Sequence, residues 1–216
     1  MAHPMTPGRP PTDTRARLVQ GFTRQLVDHG YLGISLGAVA DDCGIRKASL
    51  YHHFPGGKAE LFREVAFGYI DAQEARLSAA LAVPGGLAEQ LTALAALYTD
   101  PRAHAAELGD AVYQATRHLA EDLRSEVSHA YVDRLIAPVT ALMARAVADG
   151  ELAEAEPGFL SWTFLSMASS LTPIPDDLAM PPGERGGPPG PPEPVRAVVR
   201  LFLDGARRRP PEEPGH

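Results

Sequence analysis

The 216-residue chain has a single cysteine, Cys43, so no internal disulfide can form and the fold must stand on its core alone. Aromatic side chains are sparse, at 6%, and strand-like alternation of β-branched residues is hard to find. Ala and Leu instead recur at three- and four-residue intervals, which predicts an all-α fold. Long apolar runs are lacking too. Arg, Asp, Glu or Pro interrupts each stretch before the ~20 residues a membrane span needs. No charged-then-apolar leader opens the chain, so a cytoplasmic location is expected, with neither secretion nor membrane insertion. Also missing are a Gly-rich phosphate loop, a nucleophile elbow and a metal-ligand cluster of convincing spacing. The expectation is a protein that is not an enzyme and has no metal and no cofactor.

Lysine is scarce as well: Lys47 and Lys58 are the only two, and both lie in the first third of the chain. The net charge of -7 argues against a protein that coats nucleic acid without preference. That charge is unevenly placed. Residues 1–70 hold eight Lys or Arg against six acids, while residues 71–216 hold twelve against twenty-one. A polyanion must therefore meet the N-terminal part. The 44% hydrophobic content suffices for one large domain or two small ones.

Residues 1–11, with four prolines and no apolar periodicity, are expected to be a disordered arm, and residues 210–216 a disordered tail. A first helix is expected to begin near Thr12 to Thr14, carry Leu18, Phe22 and Leu26 on one face, and close at Gly30. Ser35 can cap a short helix over Leu36 to Asp42, and Gly44 ends it. A second short helix, Lys47 to His53, stops before Pro55, Gly56 and Gly57. A long helix follows from Ala59 to Leu81. Further helices are expected over Leu87–Thr99, Ala103–Ala120, Asp122–Asp149, Glu156–Leu171 and Pro194–Arg208. Between the last two, residues 172–193 are too rich in Pro and Gly for regular structure and form a long loop.

Residues 36–54 meet the requirements of two short helices braced against a third. Ala40 is the small residue at their contact, Gly44 turns the chain, and Val39, Ile45, Leu50 and Phe54 point inward. Arg46, Lys47, Ser49 and His52 are left on an outer, cationic face that suits the major groove of DNA. The simpler alternative for that face is an ordinary solvated surface. His52 and His53 do not suggest a metal, because adjacent helical side chains diverge by about 100°. Cys43 reads most simply as a small core residue.

The stretch around residues 14–65 resembles the TetR family of bacterial repressors, and a multidrug- and flavonoid-responsive branch of it. The resemblance rests on Gly30-Tyr31, on Ser35 to Ala40, on Gly44-Ile45, and on Ser49-Leu50-Tyr51-His52-His53-Phe54 followed by Lys58, Leu61 and Phe62. It implies that Ser35, Tyr51 and Lys58 contact phosphates and that Arg46, Lys47, Ser49 and His52 face the groove. The turn before Lys58 is one residue longer than the commoner family spacing. The resemblance further implies a helix-turn-helix domain over 12–57 and, over 58–209, a helical bundle that binds a small-molecule effector and forms a homodimer on double-stranded, palindromic DNA.

For the effector, the candidate contacts are Tyr98, Tyr113, His118, Trp162, Phe164 and Met167. For the dimer they are Phe159, Val195, Val198, Val199 and Phe202, although Trp162 also fits a dimer core. Two half-sites require recognition helices roughly 34 Å apart, so dimerisation belongs to the mechanism. The favoured function is a repressor released by a small apolar or aromatic ligand. A ligand-independent regulator or activator, or a helical interaction module, remain open alternatives.

Overall fold

The computed structural model describes residues 11–99, 104–171 and 192–207, and no strand occurs among them. The fold is all-α, as expected. The helices are α1 Pro11–Gly33, α2 Leu36–Asp42, α3 Lys47–His53, α4 Gly57–Leu81, α5 Leu87–Ala96, α6 His104–Ala115, α7 Glu121–Tyr131, α8 Ala137–Ala148, α9 Pro157–Ser169 and α10 Pro192–Ala206. Residues 1–10 of the expected N-terminal arm, the C-terminal tail and residues 172–191 of the expected loop lie outside the described residues; Pro11 instead opens α1, and Pro192 and Glu193 open α10. The described residues divide into two compact units, 11–69 with 105–129, and 70–99 with 104, 130–171 and 192–207.

In the first unit, α1 buries Leu18, Phe22 and Leu26 completely. Their i, i+4, i+8 spacing puts them in one row on the helix. Gly30 takes φ 65° and ψ 168°, a conformation open essentially to glycine alone, and it kinks α1. The regular helix therefore closes at Gly30, as expected, and a short turn over residues 31–33 beyond the kink leads through Ile34 to Ser35 as an elbow. Ser35 then caps α2 through its Oγ, which accepts from the Ala38 N–H at 3.4 Å. The buried Gln25 accepts the Ser35 N–H at 3.3 Å. Gly44, at φ 64°, makes the α2–α3 turn. Val39, Leu50 and Phe54 are buried as expected, whereas Ile45 is only half-buried and contributes its backbone N–H to Ala40 O at 3.0 Å.

In the second unit, α5, α8, α9 and α10 enclose an apolar core that includes Leu91, Leu94, Val139, Met143, Leu160, Phe164 and Phe202. Phe164 and Phe202 meet edge to face, with ring centroids 5.2 Å apart. Each such side chain contributes about 1.5–3 kcal/mol on leaving water. Two expectations change here. The single helix expected over Asp122–Asp149 is α7, a π-helical segment at Val132–Ile136, and α8. Pro138, in the first turn of α8, lacks an N–H for the carbonyl four residues back and its ring would crowd it; a wider turn, with Ala137 N–H on Val132 O, accommodates this.

The second correction concerns the dimer candidates. Val195, Val199 and Phe202 are buried in the chain's own core and Val198 is half-buried, so the apolar stripe of α10 is not free to meet a second copy. Phe159, by contrast, is 64% exposed. With it on the outside lie Trp162, 69% exposed, and Leu201, 68% exposed. Helical amphipathicity marks a face that leaves water; it does not say whether the partner is the same chain or another.

Candidate nucleic-acid interface

α3 has one buried residue, Leu50, and it anchors the helix from beneath. Arg46, Lys47, Ala48, Ser49, Tyr51 and His52 are all exposed. Arg46 begins the helix in an extended conformation, φ -75° and ψ 146°, with no side-chain cap bond. Among the described residues neither Arg46 nor Lys47 forms an ion pair, so both cations face water. The rings of His52 and His53 meet at a steep angle, with centroids 5.7 Å apart. Ala48 and His52, four apart, lie opposite Leu50 at the centre of the exposed face. Ala48 was missed from the sequence because it carries no polar group; its position opposite the buried leucine was the available signal.

The far end of α3 is fixed by Arg15 of α1. Its guanidinium donates to His53 O at 2.8 Å, pairs with Glu64 of α4, and lies 4.2 Å above the ring of the fully buried Phe54. One side chain thus ties α1, α3 and α4 together and satisfies a carbonyl left open at the end of a helix. Cys43 is buried, its Sγ hydrogen-bonded to Arg17 O at 3.3 Å and its thiol pKa raised by burial. That environment is a packing position.

The remaining phosphate candidates divide. Ser35 is exposed beside α2, and Tyr51 is 44% exposed at the C-terminal half of α3. Tyr51 packs on the start of α4: a Cβ at Gly57, which has φ 60°, would come within 3.2 Å of Tyr51 Cε1 and 3.5 Å of Leu36 Cδ1. Glycine there lets α2, α3 and α4 approach one another. Lys58 differs from the other candidates. Its ammonium donates to Ile34 O at 3.1 Å and sits 4.7 Å from the Tyr31 ring centroid, and burial lowers its pKa. Those contacts turn it toward the α1 elbow.

Of the six effector candidates, Tyr113 and His118 belong to the first unit and Tyr98, Trp162, Phe164 and Met167 to the second. Phe164 is sealed in the core, and Trp162 and Tyr113 are largely exposed, as is His118. Tyr98 and Met167, half-buried, both pack on the edge of the second unit's core. Burial raises the Tyr98 phenol pKa, and the nearby Tyr131 adds to that rise. An open cleft of about 280 Å³ in the same unit is lined by Gly85, Gln90, Arg145, Asp149 and Glu151 among others, and by none of the six.

A short helix, a glycine turn and a second short helix with an exposed cationic face, both braced on a third, form a helix-turn-helix DNA-binding domain. Residues 21–65 match the family model TetR_N, described as bacterial regulatory proteins, tetR family. Over 49 residues, 23% of this chain and 26% of the relative, the sequence is 41% identical to the HTH-type transcriptional regulator LmrA of Bacillus subtilis (strain 168). That match spans about a quarter of LmrA's length. Among solved structures, a transcriptional regulator of the TetR/AcrR family from Thermobifida fusca YX-ER1 is 26% identical, with a TM-score of 0.62, covering 91% of this chain and 100% of that one. AibR, solved in complex with isovaleryl coenzyme A and operator DNA, is 19% identical with a TM-score of 0.64, covering 89% of this chain and 97% of its own. Residues 21–65 thus carry a DNA-binding domain of the kind found in the TetR family of bacterial regulatory proteins, and the fold of the rest of the described chain is similar to that of solved TetR-family regulators. Among the described residues no helix is long and apolar enough to cross a membrane.

Proposed function

We propose that the chain is a cytoplasmic, homodimeric repressor that holds a palindromic operator and leaves it when a small apolar or aromatic ligand binds. The observation that carries this reading is the exposed face of α3, where Arg46 and Lys47 project with no ion pair among the described residues beside Ser49 and His52. Arg46 and Lys47 suit guanine edges or phosphates, Ser49 and His52 suit either bases or phosphates, and Ala48 suits a thymine methyl. Ser35 and Tyr51 would fix the register through phosphates.

Residues 12–57 would supply the DNA-binding function and residues 58–209 the ligand-binding and dimerisation functions. The exposed Phe159, Trp162 and Leu201 favour pairing of two copies through α9 and α10, since apolar side chains of that size gain by leaving water. For the effector, Tyr98 and Met167 at the edge of the core are the candidates that keep support, and the ligand complex of AibR supports the ligand class only as far as a small molecule. A ligand releases DNA only through its unequal affinity for two states, a coupling of about 1–3 kcal/mol.

The test is anisotropy binding to DNA flanking the protein's own gene, for the wild type and a Lys47→Ala/Tyr51→Phe variant. Selective binding that weakens with salt and is lost in the variant supports the reading. Equal binding by both proteins removes α3 from the interface. Selective binding that no apolar or aromatic compound weakens favours a ligand-independent regulator instead.

A further inference from the structure

The family resemblance gives Lys58 a phosphate, but its surroundings in the fold point elsewhere. An ammonium has three donors and no acceptor. Those of Lys58 meet Ile34 O at 3.1 Å, Leu32 O at 3.5 Å and the face of Tyr31 at 4.7 Å from its centroid. Tyr31 is itself gripped from a second side by Phe62, edge to face at 5.3 Å. Lys58 and Phe62 are four residues apart on α4, hence on one face, and together they clasp the ring that Gly30's left-handed kink swings toward them. The two carbonyls belong to the elbow that delivers Ser35, and Ser35 caps α2.

We propose that Lys58 is a positioning residue: its ammonium holds the Tyr31–Ile34 elbow against α4 and thereby sets Ser35 and the start of α2 for DNA, instead of meeting a phosphate itself. This rests on the reading of α2 and α3 as a DNA-binding surface. The side chain acts through Ser35. A lysine that neutralised a phosphate would release counterions and add about one unit to the salt dependence of binding. A lysine that orients the phosphate contact of another residue changes affinity and leaves that dependence alone. Because the chain has only Lys47 and Lys58, amine modification also reads the two sites separately.

The experiment uses the full chain and a DNA site that the wild type selects from random sequence, with Lys58→Met, Lys47→Ala, Ser35→Ala and the Ser35→Ala/Lys58→Met double variant, each well below its Tm. Lys58→Met, which keeps the stem and loses the donors, is expected to weaken binding about tenfold with an unchanged salt slope. Lys47→Ala is expected to reduce the slope by about one. The double variant should lose much less than the sum of the singles, since both act through one contact. DNA should shield Lys47 from amine modification and leave Lys58 unaffected. In the free protein, Lys58→Met should speed amide exchange at Leu36 to Val39 several-fold.

A slope that falls by about one in Lys58→Met, or DNA shielding of Lys58, overturns the proposal in favour of a phosphate contact. Additive losses overturn the action through Ser35. If the wild type selects no DNA, the reading of the surface fails by itself, and the exchange arm still decides about the elbow: unchanged exchange in Lys58→Met overturns its role there.

Discussion

Replacing Gly57 by alanine separates two causes that the fold joins at one residue. Its φ of 60° is left-handed, which costs a residue with a Cβ about 1–2 kcal/mol. The new methyl would also stand 3.2 Å from Tyr51 Cε1, so the ring or the start of α4 must give by a few tenths of an ångström. Together these amount to roughly 2–3 kcal/mol, and for a chain of this size about 2–4 °C of Tm per kcal/mol. Gly68 provides the opposite case on the same helix. It is exposed inside α4, and nothing lies within 4 Å of its Cβ position, so Gly68→Ala should stabilise by about 0.5–1 kcal/mol. Urea denaturation of both variants beside the wild type measures the contrast. Shifts of the same sign, or a Gly57→Ala variant within ~0.5 kcal/mol of the wild type, would refute the reasoning from backbone conformation and close approach. Folded Gly57→Ala should also bind DNA more weakly, because the displaced ring carries the Tyr51 hydroxyl.

Three other variants probe the remaining parts. Phe54→Ala removes a fully buried ring and the platform under Arg15, and should destabilise by about 3–5 kcal/mol in denaturant titration. Trp162→Glu should shift the chain to monomer in analytical ultracentrifugation with its helicity intact, whereas Val199→Glu, at a core position, should lose helicity as well. Hydrogen bonds from Arg63 hold the Glu126 carboxyl below its ordinary value of 4.5. The stability this pair adds is complete above that value and fades as pH falls through the lower folded one. The pair is about half exposed, so Glu126→Gln should cost under about 1 kcal/mol at pH 7 and remove part of the acid-side slope.

The DNA-binding part was legible because its boundaries are local chemistry. Ser35, Gly44 and the Pro55–Gly57 turn mark α2 and α3 to the residue, and Leu50 settles which face of α3 points in. The α7–α8 break was written in Pro138 and passed over, since the apolar pattern runs through it. The dimer and effector residues were not legible. An apolar stripe such as Val195, Val199 and Phe202 has the same periodicity whether its own chain or another covers it, and an aromatic residue such as Tyr113 or Phe164 looks the same in a pocket, a core or solvent. Lys58 shows a third kind of limit: the residue type fits a phosphate contact, and only the carbonyls of Leu32 and Ile34 show where its donors go.

The central claim is that the exposed face of α3 reads DNA as one half of a twofold pair, and selection of bound sites from random double-stranded DNA tests it most directly. The account predicts an enriched inverted repeat with half-sites about one helical turn apart, roughly 10 base pairs or a multiple, and its loss when Arg46 and Lys47 are both replaced by alanine. No enriched sequence, or the same inverted repeat selected by the doubly substituted protein, would contradict it.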